Sequence, residues 1–224
     1  VYPVFENGLV PMEPKLKMPK GVENKTGTEG FFPNGNFTFT DNFTSQNLDY
    51  RWIGMRGPRE DFITTSEKGL SIKPFAVDIN KVAPISALFQ RQQHQNFTAT
   101  TTLKFTPKSE KELAGITCYQ SERFNYVFGI TKKDKDFYLL LQRTEKGQSK
   151  IIASTIIDVK KPVQLQVTAR GEDYRFNYST DGVNFTNLGG TVSGDILSTN
   201  VAGGFTGSLI GLYATSANEA QPKM

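Results

Sequence analysis

At 224 residues the chain is long enough to bury one substantial core, so we expect a single large domain and not two small ones. Its 26 basic residues exceed its 22 acidic ones by only a few charges, and the two signs interleave, which argues against a nucleic-acid partner. A single cysteine, Cys118, excludes an internal disulfide bond, and a single histidine, His94, excludes a metal site built from several histidines.

The first 36 residues predict an irregular lead-in, which we interpret as a linker or strap, followed by one β-sandwich domain over residues 37–224. Prolines and glycines recur through the lead-in and interrupt any regular element. The opening residues 1–5 are uncharged and no long apolar run follows, so we expect neither a signal peptide nor a membrane partner. The absent initiator methionine fits a fragment of a longer protein, and the compartment stays open between periplasm, extracellular space and cytoplasm.

Short runs of alternating apolar and polar residues begin at Phe37 and predict β-strands. In chain order the main runs are residues 37–40, 61–65, 70–73, 97–105, 115–119, 126–130, 137–142, 151–155, 163–170, 174–178 and 208–214. Gln164 and Gln166 alternate with apolar neighbours, and Asp181-Gly182 is a strong turn signal. Since no segment has the pattern of an amphipathic helix, we predict an all-β fold, a two-sheet antiparallel sandwich of jelly-roll type.

The sequence contains no recognisable catalytic motif. His94 stands among glutamines, and we interpret it as a strand residue and not as a general base. Cys118 has the neighbours of a strand interior, and no serine lies in a nucleophile elbow. Neither a phosphate-binding glycine loop nor the alternating acidic pair of sandwich glucanases occurs. We therefore expect no catalytic residue, metal or cofactor on this chain.

Groups that contact sugars are concentrated in three segments, residues 50–59, 89–94 and 119–126. Aromatic rings stack on sugar faces, and amide and guanidinium groups reach hydroxyls. The candidate sugar-binding residues are Arg56, Arg59, Arg91, Gln93, Tyr119 and Tyr126. We expect Arg91 and Gln93 to share one face of a strand, with His94 on the other. Trp52 is interpreted as a core residue in an inward strand position.

A glycine-rich segment near the end of the chain carries one large aromatic residue. Gly203, Gly204 and Gly207 tolerate positive φ, which lets the backbone present Phe205 at a loop tip. A ring held in this way is expected to contact a partner. The alternative is that Phe205 folds back over the rim of the sandwich as a plug.

Several motifs of this sequence, taken in order, carry a family resemblance. They are Asp41-Asn-Phe43, Leu48-Asp-Tyr-Arg-Trp52, Arg56-Gly-Pro-Arg59, Phe89-Gln-Arg-Gln-Gln-His94, Ala114-Gly-Ile116, Tyr174-Arg-Phe-Asn-Tyr-Ser-Thr-Asp-Gly182 and Gly203-Gly-Phe-Thr-Gly207. Together they resemble the C-terminal concanavalin A-like domain of family 43 β-xylosidases, over about residues 38 to 215. Residues 1–20 resemble the linker that leaves the catalytic propeller of such enzymes.

The resemblance implies that catalysis belongs to one domain and that the sandwich is a second, non-catalytic domain. In that family three carboxylates of an N-terminal five-bladed propeller do the chemistry on xylo- or arabino-oligosaccharides, and none of them has a match here. The sandwich packs on the propeller, and a loop closes the sugar pocket with a phenylalanine beside the bound sugar. Phe205, followed by Thr206, is the best match for that contact. The resemblance thus predicts a non-catalytic module, and a homo-oligomer is left open.

Two functions of other classes stay open at this point. An autonomous carbohydrate-binding module would grip a glycan on its own. A complete hydrolase of concanavalin-like fold would need two carboxyl groups facing each other at roughly 5 to 9 Å. A purely structural module would do no more than pack.

Overall fold

The computed structural model describes residues 38–219, and the lead-in predicted at residues 1–36 lies outside them. Within this range the regular elements are thirteen β-strands, one short α-helix and two 3-10 helices. In chain order they are β1 (Ile53–Met55), a 3-10 helix (Arg59–Asp61), β2 (Ile63–Ser66), β3 (Gly69–Ile72), β4 (Ile85–Arg91), β5 (Asn96–Leu103), β6 (Leu113–Ser121), β7 (Phe124–Lys133), β8 (Asp136–Glu145), β9 (Gln148–Ile156), β10 (Val163–Arg170), β11 (Asp173–Ser179), β12 (Thr186–Ser193), a 3-10 helix (Gly194–Leu197), α1 (Thr199–Ala202) and β13 (Leu209–Thr215).

The strands form two large sheets. Seven strands lie in the order β1-β4-β13-β6-β7-β8-β9, and four lie in the order β12-β11-β10-β5, while β2 and β3 make a separate hairpin. Neighbouring strands in all three sheets run antiparallel. The prediction of an all-β, two-sheet antiparallel sandwich is confirmed.

The main core lies between the two large sheets. The inward residues of β10 are buried, whereas Gln164 and Gln166 on the other face are half-buried, as the alternation predicted. Tyr126 and Phe128 of the seven-stranded sheet pack on Phe176 of the four-stranded sheet, with ring centroids 5.4 and 5.5 Å apart. Burial of each such ring stabilises the sandwich by about 2–3 kcal/mol.

The seven-stranded sheet is covered on its second face as well. Phe89, Tyr119 and Tyr213 are buried there. The segment after β3 packs on them, and the backbone N–H of Ile79 donates to the Tyr213 hydroxyl at 2.9 Å. Because β6 and β7 are buried on both faces, their sequences do not alternate, and both strands are longer than the runs 115–119 and 126–130 predicted. Cys118 is buried inside β6, as expected.

The strand expected to carry Arg91, Gln93 and His94 ends earlier than predicted. β4 finishes at Arg91, and the Gln92 side chain donates to the carbonyl of His94 at 3.0 Å, which closes a turn. Arg91 and Gln93 therefore do not share a strand face, although both are exposed. The run of glutamines carries no apolar alternation that could have marked this end.

Two expectations near the start of the described range are also wrong. Residues 38–40 form no strand, and residue 37 lies outside the described part of the chain. Trp52 stands just before β1 and is only half-buried. Its backbone N–H donates to the carbonyl of Asp49, and its ring packs on Phe43 at 5.2 Å, so a turn and not a strand positions it.

The turn between β11 and β12 is built around Asp181. Its Oδ1 accepts the Ser179 hydroxyl and the backbone N–H groups of Val183 and Asn184, each at 2.8 Å. The Asn184 side chain donates to Oδ2 at 2.8 Å, and these bonds, led by the Asn184 amide, hold the pKa of Asp181 well below its usual range. The carboxylate thus supplies the turn that Asp181-Gly182 predicted.

Replacement of Asp181 by alanine should lower the stability of the domain at neutral pH. Because the native pKa is depressed, the contribution of the carboxylate is complete above the unfolded-state value of about 3.9 and is lost as pH falls through the native pKa. The difference in urea midpoint between the wild type and Asp181→Ala should therefore stay constant above about pH 5 and shrink below about pH 4. A difference that persists unchanged at lower pH would contradict this role.

Candidate functional site

The glycine-rich segment forms a loop, residues 198–208, between the second 3-10 helix and β13. It opens with α1, whose first turn is capped by the Ser198 hydroxyl accepting the backbone N–H of Val201 at 3.3 Å. Gly203, Gly204 and Gly207 then have φ values of +73°, +78° and +71°. These left-handed conformations let the chain turn sharply on both sides of Phe205.

Polar side chains fix the loop on both sides of its tip. Before the tip, the Gln120 side chain donates from Nε2 to the carbonyl of Gly203 at 2.6 Å. After the tip, the Arg91 guanidinium donates to the carbonyl of Thr206 at 2.7 Å. Arg91 ends β4 and Gln120 lies near the end of β6, so the two strands that flank β13 hold the loop.

Phe205 is fully exposed at this tip, at 105%. The ring does not fold back over the rim of the sandwich. A phenyl group left in water forgoes about 2 kcal/mol of burial free energy, and the glycine turns and their anchors keep it there. An exposed aromatic residue on an anchored loop is suited to packing against another molecule or domain. The prediction that Phe205 and Thr206 contact a sugar pocket stays a prediction.

Arg56 and Arg59 both lie in the segment that follows β1. The Arg56 guanidinium pairs with the Glu122 carboxylate at 2.9 Å, and Arg56 is exposed. The pKa of Glu122 is lowered, first by its own backbone N–H and also by Arg56. Arg59 is half-buried, donating to the carbonyl of Trp52 and to the Glu60 carboxylate, the latter at 3.1 Å. Both guanidinium groups are thus engaged by the protein itself.

The structure places Tyr119 and Tyr126 in the interior. Tyr119 is 1% exposed and packs on Phe89 with ring centroids 5.3 Å apart. Tyr126 is 0% exposed, and its hydroxyl donates to the carbonyl of Ser193 at 2.8 Å. Neither ring presents a face to solvent in this domain. The density of aromatic and polar residues that marked this segment in the sequence serves packing here.

Of the candidate residues, the structure brings Arg91, Phe205 and Thr206 together at the loop. Sequence reasoning missed Gln120, the second anchor of this loop. A signal was present, because a polar residue between Tyr119 and Ser121 on an inward strand position needs a hydrogen-bond partner. The partner, the carbonyl of Gly203, is distant in sequence and could not be foreseen.

No group of three or more histidine, cysteine, aspartate or glutamate side chains that could hold a metal ion occurs within residues 38–219. Burial raises the pKa of the Cys118 thiol above its usual range, which disfavours the nucleophilic thiolate. No helix in the described part of the chain is long and apolar enough to cross a membrane.

Comparison with known proteins gives a consistent picture. A family model described as the β-xylosidase C-terminal concanavalin A-like domain matches residues 40–223. The non-reducing end α-L-arabinofuranosidase BoGH43B of Bacteroides ovatus is 26% identical over 182 residues, covering 80% of this chain and 34% of that protein. Xylosidase/arabinosidase 43B of Humicola insolens is 26% identical over 194 residues, covering 76% of this chain and 34% of that protein. The chain thus spans about a third of the length of these relatives.

Solved structures agree with the sequence relatives. A GH43_12 protein retrieved from a capybara gut metagenome is 48% identical and superposes with a TM-score of 0.80, over 96% of this chain and 41% of that one. GH43B of the Bacteroides ovatus xyloglucan PUL is 28% identical with a TM-score of 0.74, over 82% of this chain and 37% of that one. In each case the chain corresponds to less than half of the solved protein.

Proposed function

This chain belongs to the family of β-xylosidase C-terminal concanavalin A-like domains, and from that membership we propose that it is the non-catalytic C-terminal module of a family 43 glycosidase. The parent enzyme hydrolyses xylosides or arabinosides with a catalytic propeller that precedes this chain. Residues 1–36 connect the two domains, and residues 37–224 form the sandwich. The module packs on the propeller and helps to close its sugar pocket.

The observation that carries this proposal is the fully exposed Phe205 on a loop fixed from both sides. A module that only filled space would bury such a ring or replace it with a polar residue. The names of the relatives, an arabinofuranosidase and a xylosidase/arabinosidase, support pentose glycosides as the substrates.

The geometry suggests how the module acts. The Phe205 ring forms one apolar wall of the pocket, and the Arg91 contact to the Thr206 carbonyl keeps that wall in place. A wall of this kind excludes water from the bound sugar and closes the pocket beyond a small number of subsites. Such a pocket favours the cleavage of short non-reducing ends over internal bonds.

The isolated 224-residue chain should not hydrolyse p-nitrophenyl xyloside or p-nitrophenyl arabinofuranoside, whereas the longer protein with its propeller should. The reason is that this module supplies no catalytic carboxylates. Release of p-nitrophenol by the two purified proteins, at equal concentrations, measures the difference. Hydrolysis by the isolated chain would favour a complete concanavalin-like hydrolase, and an inactive longer protein would also overturn the proposal.

A further inference from the structure

A network of neutral polar side chains covers one end of the second face of the seven-stranded sheet. Asn125 of β7 is fully buried and donates from Nδ2 to Asn80 Oδ1 at 3.0 Å. Asn80 in turn donates to the Ser149 hydroxyl of β9 at 3.1 Å, and this hydroxyl lies 2.9 Å from that of Thr144 on β8. The network therefore ties the segment at residues 78–81 to three adjacent strands.

A cavity of about 760 Å³ opens beside this network. Its lining includes Asp78, Asn80, Gln142, Ser149 and Ile151. In the sheet, Gln142 of β8 is paired with Val127 of β7 and with Ile151 of β9. Its amide is therefore a polar group between two apolar neighbours, at the wall of the cavity. The volume falls within the range of sites that hold small molecules.

Two side-chain amides near the cavity have atoms without a hydrogen-bond partner in the described range. Gln142 is only 4% exposed, and its side-chain amide makes no hydrogen bond with any residue of the described range. The Oδ1 atom of Asn125 is buried and has no hydrogen-bond partner within that range either. The Gln142 amide lines the cavity without a hydrogen-bond partner in the described range, so its oxygen and its nitrogen are both available to a molecule that enters the cavity.

The charges around the cavity balance one another. Asp78 and Glu219 are matched by Lys81 and Lys150, and Lys81 Nζ lies 3.9 Å from Glu219 Oε1 at the rim. A site with no net charge does not select for an anion or a cation. The groups that remain to bind a ligand are an amide, hydroxyls and the apolar side chain of Ile151.

We propose that this cavity is a second sugar-binding site, in which the Gln142 amide and the Ser149 hydroxyl bind the hydroxyl groups of a short neutral oligosaccharide. A side-chain amide both donates and accepts, which matches neighbouring hydroxyls of a sugar, and Ile151 contacts its C–H face. The choice of a pentose oligosaccharide as the ligand rests on the proposed function. Through this site the module would bind substrate chains, in addition to closing the sugar pocket of the propeller.

The direct test titrates xylotriose into the ¹⁵N-labelled 224-residue chain and follows amide chemical shifts. We expect saturable shifts in residues 78–81 and around Gln142 and Ser149, with a dissociation constant on the order of 1 mM, since the site has few apolar contacts. The absence of saturable shifts, or saturable shifts confined to other parts of the domain, would overturn the proposal.

Matched variants test whether the Gln142 amide and the Ser149 hydroxyl bind the sugar. Gln142→Leu keeps the volume and suits the neighbouring Val127 and Ile151, and it should weaken xylotriose binding about tenfold or more. Gln164→Leu makes the same change on β10, away from the cavity lining, and should bind like the wild type. Ser149→Ala, at an exposed position, provides a second variant should Gln142→Leu fail to fold. Wild-type binding by a folded Gln142→Leu or by Ser149→Ala would contradict the proposal.

The test is independent of the proposed role of Phe205. Phe205 does not line this cavity, so Phe205→Ala should bind xylotriose as the wild type does. If the chain binds xylotriose but Phe205→Ala does not change hydrolysis by the longer protein, this site is retained and the pocket-closing function is refuted. If the chain does not bind xylotriose but Phe205→Ala slows hydrolysis, only this site is refuted.

Discussion

Phe205→Ala in the full-length protein should lower kcat/KM for short xylosides or arabinosides by about 10- to 30-fold, which corresponds to about 1.4–2 kcal/mol of transition-state stabilisation. The ring is fully exposed in the described part of the chain, so its burial free energy becomes available only when another molecule or domain covers it. In the proposed function, that cover is the sugar or the propeller. Steady-state kinetics with p-nitrophenyl glycosides and with xylobiose measure the loss.

The folding of the domain should not change in this variant. No contact within the described residues buries the ring, and the thermal midpoint of Phe205→Ala should equal that of the wild type. Tyr50→Ala is a suitable control, because Tyr50 is another exposed aromatic residue, at 75%, outside the loop. Kinetic losses of equal size in both variants, or in neither, would argue against a specific role for Phe205.

Gly115→Val should strongly destabilise the fold. Gly115 of β6 stands opposite Gly129 of β7, and a Cβ atom at Gly115 would lie 2.1 Å from the carbonyl oxygen of Phe128. The obstacle is backbone, which cannot rotate away. We expect the free energy of unfolding to fall by at least about 3 kcal/mol, as measured by urea titration of the isolated chain.

Gly171→Ala separates this steric effect from the general cost of losing a glycine. Gly171 has φ of +61° and no atom within 4 Å of a built Cβ, so only backbone strain opposes the change. A loss of about 1–2 kcal/mol is expected there. If both substitutions cost the same, close backbone packing between β6 and β7 is not what requires Gly115.

The sequence predicts best those strands that have one buried face and one solvent-exposed face. β10 and β11 show this, because Gln164 and Gln166 mark the outer face and the register follows from the intervening turn. β6 and β7 were only partly recovered. Both of their faces are buried, partly by the covering segment around Ile79, so these strands lack the alternation that would mark their ends in the sequence.

The candidate site was also predicted only in part, because only its local features can be read from the sequence. Three glycines around one phenylalanine predict a sharp turn at that residue, since positive φ is a local property, but they leave open whether the ring points outward or folds back over the rim. The anchors of the loop, Gln120 and Arg91, depend on which strands flank β13, and that order is a property of the whole sheet. The cavity beside Gln142 was not predicted, because its lining residues come from separate segments of the chain.

The most direct test of the central claim is a crystal structure of the full-length protein with xylose or arabinose bound in its catalytic pocket. The account predicts that the Phe205 ring lies within about 4.5 Å of the sugar or of the residues that enclose it. A ring that faces solvent in that complex, or that packs on a surface remote from the pocket, would contradict the claim that this module closes the sugar pocket.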